Sequence, residues 1–201
     1  MREEQGRICK LVRDVLGPEY LELRVDRVHL EEDLVENMSS LRAELHDELS
    51  GEKQVIEGRG VGVVDAFFQA LVGRLSAPYP SLKTIEFSKF QVDGRIDTKR
   101  QIQGADAVGE VTLMVRNSER REFEFRDASR SITASALRAV LEAVEYFVNS
   151  ERAFVAVWKR LEDARARNRD DLVQSYTAQL VELVKNTSYS EVIEGIRQKL
   201  R

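Results

Sequence analysis

One pattern of apolar residues occurs twice in this sequence, and the repeat limits the possible folds more than any other feature does. In each copy the apolar residues stand at intervals of two, three and two. The two sets are Leu23, Val25, Val28 and Leu30, and Ile85, Phe87, Phe90 and Val92. Steps of two place side chains on one face of a β-strand, and the central step of three predicts a bulge that restores this face.

Each copy continues with a second strand, a turn, a third strand and a helix. The second strands alternate apolar with polar residues over 41–46 and 111–116, which is typical of a sheet with one buried face. Short third strands are predicted at Gln54–Glu57 and Glu122–Phe125. Apolar residues then recur at helical spacing from Val63 and from Ile132, and this spacing predicts an amphipathic helix in each copy.

The sequence therefore predicts an α+β fold in which two strand-strand-strand-helix units form one domain over residues 20–149. The units span 20–76 and 82–149, and the junction between them contains Pro78 and Pro80.

Apolar stripes at helical spacing also occur on both sides of this domain, which predicts an N-terminal helical arm over 1–19 and a C-terminal helical extension over 151–201. The two helices of the domain cover only one face of the strands, so apolar surface and strand edges remain for a partner. We therefore expect a homodimer.

Composition excludes several classes of function. Acidic and basic residues are mixed and the net charge is −4, so we expect no nucleic-acid partner. The chain begins with the charged stretch MREEQGR and has no apolar run long enough to span a membrane, so we expect a cytoplasmic protein without membrane contact. Cys9 is the one cysteine, which excludes an intrachain disulfide and a cysteine-based zinc site.

No set of residues indicates catalysis or a cofactor. The two histidines, His29 and His46, lie far apart on predicted strands, and we interpret them as solvent-facing residues and not as metal ligands. The glycines at Gly58, Gly60 and Gly62 are too closely spaced for a dinucleotide-binding fingerprint. We predict no catalytic residues, no metal and no cofactor.

Three stretches of the sequence stand out, at Gly58–Leu71, Gly104–Val115 and Ala128–Val148. They resemble the C-terminal regulatory domain of α-isopropylmalate and citramalate synthases. GRGVGVVDAFFQAL (Gly58–Leu71) is similar to that family's Gly-x-Gly-x-Gly-Pro-Val-Asp-Ala turn and helix, with Val63 where proline is usual. GADAVGEVTLMV (Gly104–Val115) is similar to the entry to a strand of the second unit. ASRSITASALRAVLEAVEYFV (Ala128–Val148) is similar to the last helix of the domain. The resemblance implies the same paired βββα units and the same dimer.

The resemblance further implies feedback control, in which leucine or isoleucine binds near the dimer interface and slows a distant catalytic barrel. It places the effector contacts at Gly58, Gly60, Gly62, Val63, Asp65, Ala66, Ala128 and Ser129. A catalytic TIM barrel needs about 250 residues, which this sequence does not hold. We therefore expect a stand-alone regulatory domain that is not an enzyme, with a separate synthase catalytic subunit as a possible partner.

Two alternatives stay open at this stage. The glycines allow either close approach of a ligand or only a tight strand-to-helix turn, and Asp65 either contacts an amino group or caps its own helix. The second unit departs from the family pattern, since Phe125-Arg126-Asp127 stands where the family has a Gly-Arg-Gly turn. The alternative function is therefore a repurposed dimeric protein that has lost its effector and binds a partner through its helical tail.

Overall fold

The computed structural model describes residues 2–95 and 108–185. Its elements follow the chain in the order that the repeat predicts. The helices are α1 (Arg2–Leu16), α2 (Val63–Leu75), α3 (Ile132–Ala166) and α4 (Asp170–Lys185). The strands are β1 (Leu23–Asp33), β2 (Met38–Asp47), β3 (Lys53–Gly60), β4 (Glu86–Arg95), β5 (Val108–Arg116) and β6 (Glu122–Ser129). The α+β fold with two βββα units and additional C-terminal helices is confirmed.

The six strands form two separate antiparallel sheets, in the orders β1-β2-β3 and β4-β5-β6. Both sheets carry the predicted bulge near the start of their first strand. The register shifts between Val25 and Arg27 in β1 and between Phe87 and Lys89 in β4. The prediction from the three-residue step is therefore confirmed in both units.

Each sheet is covered on one face by the helix that follows it. Helix α2 packs on β3 and β2, while α3 packs on β5 and β6 and also contacts β1 and α2. The apolar residues of β2 and β5 are fully enclosed between sheet and helix, and they join both units into one hydrophobic core. They are Leu41, Ala43, Leu45, Val111, Leu113 and Val115.

Helix α3 runs without a break from the second unit into the predicted extension, passing through position 150. Its second half buries Phe154, Val157 and Leu161, and α4 turns back to pack on α3 and α1. The tail residues 186–201 and the start of the Gly104–Val115 stretch, residues 104–107, lie outside the described residues.

Helix α1 is part of the folded core. Ile8 and Val12 are buried against α3. The side-chain amide of Gln5 pairs with the backbone at the free edge of β6. It accepts a hydrogen bond from the Glu124 N–H (3.3 Å) and donates one to the Glu124 carbonyl (3.4 Å).

Strand β4 is the least covered part of the two sheets. Phe90 and Val92 pair with Leu113 and Val111, so they lie on the helix-facing side of the second sheet. Even so, Phe90 is 46% and Val92 is 39% exposed. Helix α2 reaches β4 at Phe87, whose ring centre lies 4.7 Å from that of Phe68, and leaves the rest of the strand less covered. Within the described residues, no helix is both long and apolar enough to cross a membrane.

Candidate functional site

The turn between β3 and α2 brings together the residues that the sequence predicts for the first unit, namely Gly58, Gly60, Gly62, Val63, Asp65 and Ala66. Its two strand glycines lie directly against helix α2. A Cβ atom on Gly58 would collide with the Ala66 carbonyl oxygen and lie 2.7 Å from the Ala70 nitrogen. A Cβ on Gly60 would collide with the Asp65 carboxylate and lie 2.5 Å from the Ala66 nitrogen. The helix itself therefore fills the space that these glycines leave.

Asp65 closes the same turn with its side chain. One carboxylate oxygen accepts a hydrogen bond from the Val61 N–H at 2.9 Å, and the other accepts one from the Gln69 side chain at 3.2 Å. These bonds correspond to the local capping role that the sequence left open for Asp65.

The first turn of α2 nevertheless has no side-chain cap. The residue before the helix is Gly62, whose φ of 99° favours glycine, and it has no side chain to accept a bond from the helix. Val61, next to it, is 74% exposed. This combination leaves the first N–H groups of α2 without a side-chain cap, beside an apolar side chain at the surface, while the Asp65 carboxylate of the same turn offsets part of the positive charge of the helix end.

The second unit closes its corresponding turn with its own side chains. The Ser131 hydroxyl accepts a hydrogen bond from the Ala134 N–H, which caps α3. Ser129 bonds within the turn to the Ser131 carbonyl and to Ser135, while Ala128 is exposed. Among the described residues, no hydrogen bond connects Ala128 or Ser129 with the turn of the first unit.

Phe125 and Asp127, which stand where the resembling family has glycine, both have partners within the fold. Phe125 is buried against Tyr146. The Asp127 carboxylate pairs with the Arg138 guanidinium at 2.8 Å. Burial alone would raise the pKa of Asp127, but hydrogen bonds from Arg138 and Ser135 hold it below its ordinary value.

A cavity of about 520 Å³ lies between α1, β6 and α3, and the sequence analysis did not predict it. Its wall includes Cys9, Tyr20, Glu142, Glu145 and Tyr146. One oxygen of the Glu145 carboxyl accepts a hydrogen bond from the Leu23 N–H at the start of β1.

The pKa of Glu145 is raised from 4.5 to about 8, chiefly by burial, and the nearby acids Glu22 and Glu142 contribute to the rise. The hydrogen bond from Leu23 and the more distant Arg13 act in the opposite direction but do not offset burial. Glu145 therefore carries its proton at neutral pH.

The phenols and the thiol at this cavity are also held in their protonated forms. Burial raises the pKa of the Tyr20 and Tyr146 phenols. Burial and the Glu142 carboxylate raise the pKa of the Cys9 thiol. A protonated thiol is a poor nucleophile, so the geometry does not favour covalent chemistry at Cys9.

One turn beyond Glu145, Asn149 connects α3 to the segment before β1. Its side chain is fully buried, and it accepts a hydrogen bond from the Leu21 N–H (2.7 Å) and donates one to the Leu21 carbonyl (2.8 Å). A polar pair of this kind fixes the direction in which β1 enters the first sheet.

The histidines do not form a metal site with their neighbours. His29 is exposed on β1, and the Nδ1 atom of His46 lies 3.9 Å from the Asp26 carboxylate. Within residues 2–95 and 108–185, no three histidine, cysteine or acidic side chains converge as metal ligands would.

Paired βββα units, a glycine turn that opens onto an uncapped helix and an uncovered strand fit a regulatory type of domain. The chain belongs to the LeuA allosteric (dimerisation) domain family, whose profile matches residues 4–148. The matched range includes α1, which the sequence analysis placed outside the domain.

A curated relative supports the same assignment. The chain is 29% identical over 145 residues to a probable 2-isopropylmalate synthase of Archaeoglobus fulgidus. The alignment covers 72% of this chain and 26% of that protein. The chain thus corresponds to about a quarter of the length of the curated relative that it matches.

Proposed function

We propose that this chain is a non-catalytic regulatory module that pairs with a second copy of itself and binds a branched-chain amino acid, or a related small acid, at the Gly58–Asp65 turn. The observation that carries this proposal is the uncapped start of α2 beside the exposed Val61, in a chain of an allosteric-domain family. Free N–H groups and the positive end of a helix suit a carboxylate. An apolar neighbour suits a branched side chain.

The effector site would include the backbone of Gly62 and Val63, with Gly58 and Gly60 setting the position of the helix. Ala66 would border the site, because its N–H already donates to the Gly62 carbonyl at 3.0 Å. Ala128 and Ser129 of the second unit, or of the partner copy, would complete it. Leucine and isoleucine are the first effectors to test, since the matched relative is a probable 2-isopropylmalate synthase. We propose that a synthase catalytic subunit receives the signal.

The exposed side of β4 supports pairing with a second copy. Apolar side chains on the helix-facing side of the sheet that no helix covers remain on this strand, in particular Phe90 and Val92. An uncovered apolar face favours burial against a partner, and a second copy offers the same face by symmetry.

The effector proposal predicts that Val61→Asp weakens leucine or isoleucine binding at least about tenfold, which corresponds to 1.4 kcal/mol. A carboxylate at this position would repel the carboxylate of the ligand. Isothermal titration calorimetry of the full chain measures the effect. Val35→Asp is the matched control, because Val35 is 85% exposed at the β1–β2 turn. Absence of binding by the wild-type chain at millimolar amino acid would contradict the proposal.

The dimer proposal predicts that Phe90→Asp converts a dimer into a monomer of 23.0 kDa. The substitution would place a charge in a dry apolar contact, where it has no partner. Sedimentation velocity distinguishes the two species. The control is Val55→Asp, because Val55 is 51% exposed on the face of the first sheet that points away from α2. A wild-type chain that stays monomeric, or a Phe90→Asp variant that stays dimeric, would rule out this interface.

A second candidate function is a dimeric interaction protein without an effector. It is favoured by the glycines of the first turn, which are accounted for by the packing of α2, and by the closed turn of the second unit. Under this alternative the wild-type chain dimerises through β4, shows no heat with leucine, isoleucine or valine, and contacts its partner through the helical tail.

A further inference from the structure

The cavity between α1, β6 and α3 places a buried carboxyl group next to aromatic side chains. It is about 520 Å³, within the usual range for small-molecule sites. Tyr20, Phe125 and Tyr146 supply its apolar wall, and Glu145 lies on the α3 side. Among the described residues, Glu145 has one hydrogen bond, from the Leu23 N–H, which leaves most of its acceptor capacity for another partner.

The carboxyl groups around this cavity offer hydrogen-bond acceptors to a positively charged ligand. Three carboxyl groups line it, Glu124, Glu142 and the protonated Glu145, together with the two cations Arg13 and Arg126. Before a ligand binds, these charges balance, and the charge that favours a cation appears when Glu145 gives up its proton. Both arginines are already engaged. Arg126 pairs with Glu124 at 2.9 Å, and Arg13 pairs with Glu22 at 3.3 Å while its guanidinium lies 4.3 Å from the centre of the Tyr20 ring. On the α3 side, the lining side chains are those of Glu142, Glu145 and Tyr146.

We propose that this cavity is a binding site for a small aliphatic primary amine, whose ammonium group pairs with the carboxylate of Glu145. An ammonium group has three N–H donors, and the carboxyl of Glu145, the carboxylate of Glu142 and the phenol of Tyr20 are acceptors in the same cavity. The apolar chain of the amine would lie against Tyr146 and Phe125. This site is separate from the Gly58–Asp65 turn, so the inference does not rest on the proposed function.

Binding has a measurable consequence for protons. The amine arrives as an ammonium ion, whereas Glu145 holds a proton at neutral pH, since burial raises its pKa to about 8. Formation of the ion pair therefore releases the carboxyl proton to solvent, and close to one proton should leave for each ligand bound. The apparent affinity should rise with pH up to about pH 8 for the same reason.

The test is calorimetry of the full chain with butylammonium chloride in phosphate and in HEPES, which differ in ionisation enthalpy. We expect millimolar affinity and a proton release that makes the observed heat depend on the buffer. Glu145→Gln should lose at least about tenfold in affinity and should abolish the proton release. Glu162→Gln, an exposed position on the same helix that pairs with Arg165, is the matched control and should behave as wild type.

Circular dichroism will show whether Glu145→Gln is folded. If it is not, two further measurements still test the proposal. 1-Butanol, which has the same chain without the charge, should not bind the wild-type chain. The Val61→Asp variant should bind butylammonium unchanged, because the cavity lies away from that turn. Absence of butylammonium binding at millimolar concentration, binding without proton release, or equal binding of 1-butanol would overturn the proposal.

Discussion

Replacing Gly58 with alanine is expected to lower the free energy of unfolding by about 3 kcal/mol or more. The added methyl group would collide with the carbonyl oxygen of Ala66 and lie 2.8 Å from the Cβ of Ala70. These atoms belong to the body of α2, so they can move only if the whole helix shifts away from β3. Urea denaturation of the wild-type and variant chains measures the difference.

Gly73 provides a control in the same helix with the opposite expected sign. A Cβ at Gly73 meets nothing within 4 Å, and its backbone is helical. Gly73→Ala should therefore raise the free energy of unfolding by about 0.5 to 1 kcal/mol, because alanine loses less conformational freedom than glycine in a helix. Equal free energies of unfolding for the two variants would contradict the close packing of β3 against α2.

The Gly58 result also bears on function. Glycines in a turn often indicate a bound ligand, but here Gly58 and Gly60 are required by the close packing of strand and helix. The argument for an effector therefore depends on the uncapped start of α2 and on the family, and the glycines serve to position that helix.

Sequence periodicity predicted the two βββα units because it reports which side of each element faces the core. The bulges in β1 and β4 were predictable for the same reason, since a step of three breaks an alternation of two. The split into two three-stranded sheets was not predictable, because the pattern of a strand does not specify its neighbours.

The polar residues inside α3 were the main feature that the sequence did not indicate. Glu145 and Asn149 stand four positions apart, so they share one side of the helix. In a helix with one buried face, that side would be exposed to water. Here α1 and the segment before β1 cover it, and both side chains bond to backbone atoms of Leu21 and Leu23. Contacts between distant parts of the chain leave no periodic pattern in the sequence, so they could not be predicted from it.

Glu145 makes the stability of the fold depend on pH. The folded state holds the Glu145 proton with a pKa of about 8, whereas the ordinary value of 4.5 applies to the unfolded chain. Folding therefore takes up a proton between these limits, and the free energy of unfolding falls as pH rises from 4.5 to about 8. The pKa difference corresponds to a decrease in the free energy of unfolding of roughly 4 to 5 kcal/mol, and most of this decrease has occurred by about pH 8.

Glu145→Gln should remove this pH dependence, because glutamine stays neutral and its side-chain oxygen can still accept the hydrogen bond from Leu23. Urea denaturation between pH 5 and pH 8.5 is the measurement, since this window separates Glu145 from the thiol of Cys9 and the phenol of Tyr20, whose raised pKa values lie higher. The charged neighbours Arg13, Glu22 and Glu142 stay in place in the variant. Glu162→Gln should show the same change of the free energy of unfolding with pH as the wild type. If the free energy of unfolding changed equally with pH in the wild type and in Glu145→Gln, Glu145 would be ionised in the folded chain. Only a proton held by Glu145 in the folded state gives the predicted decrease in stability.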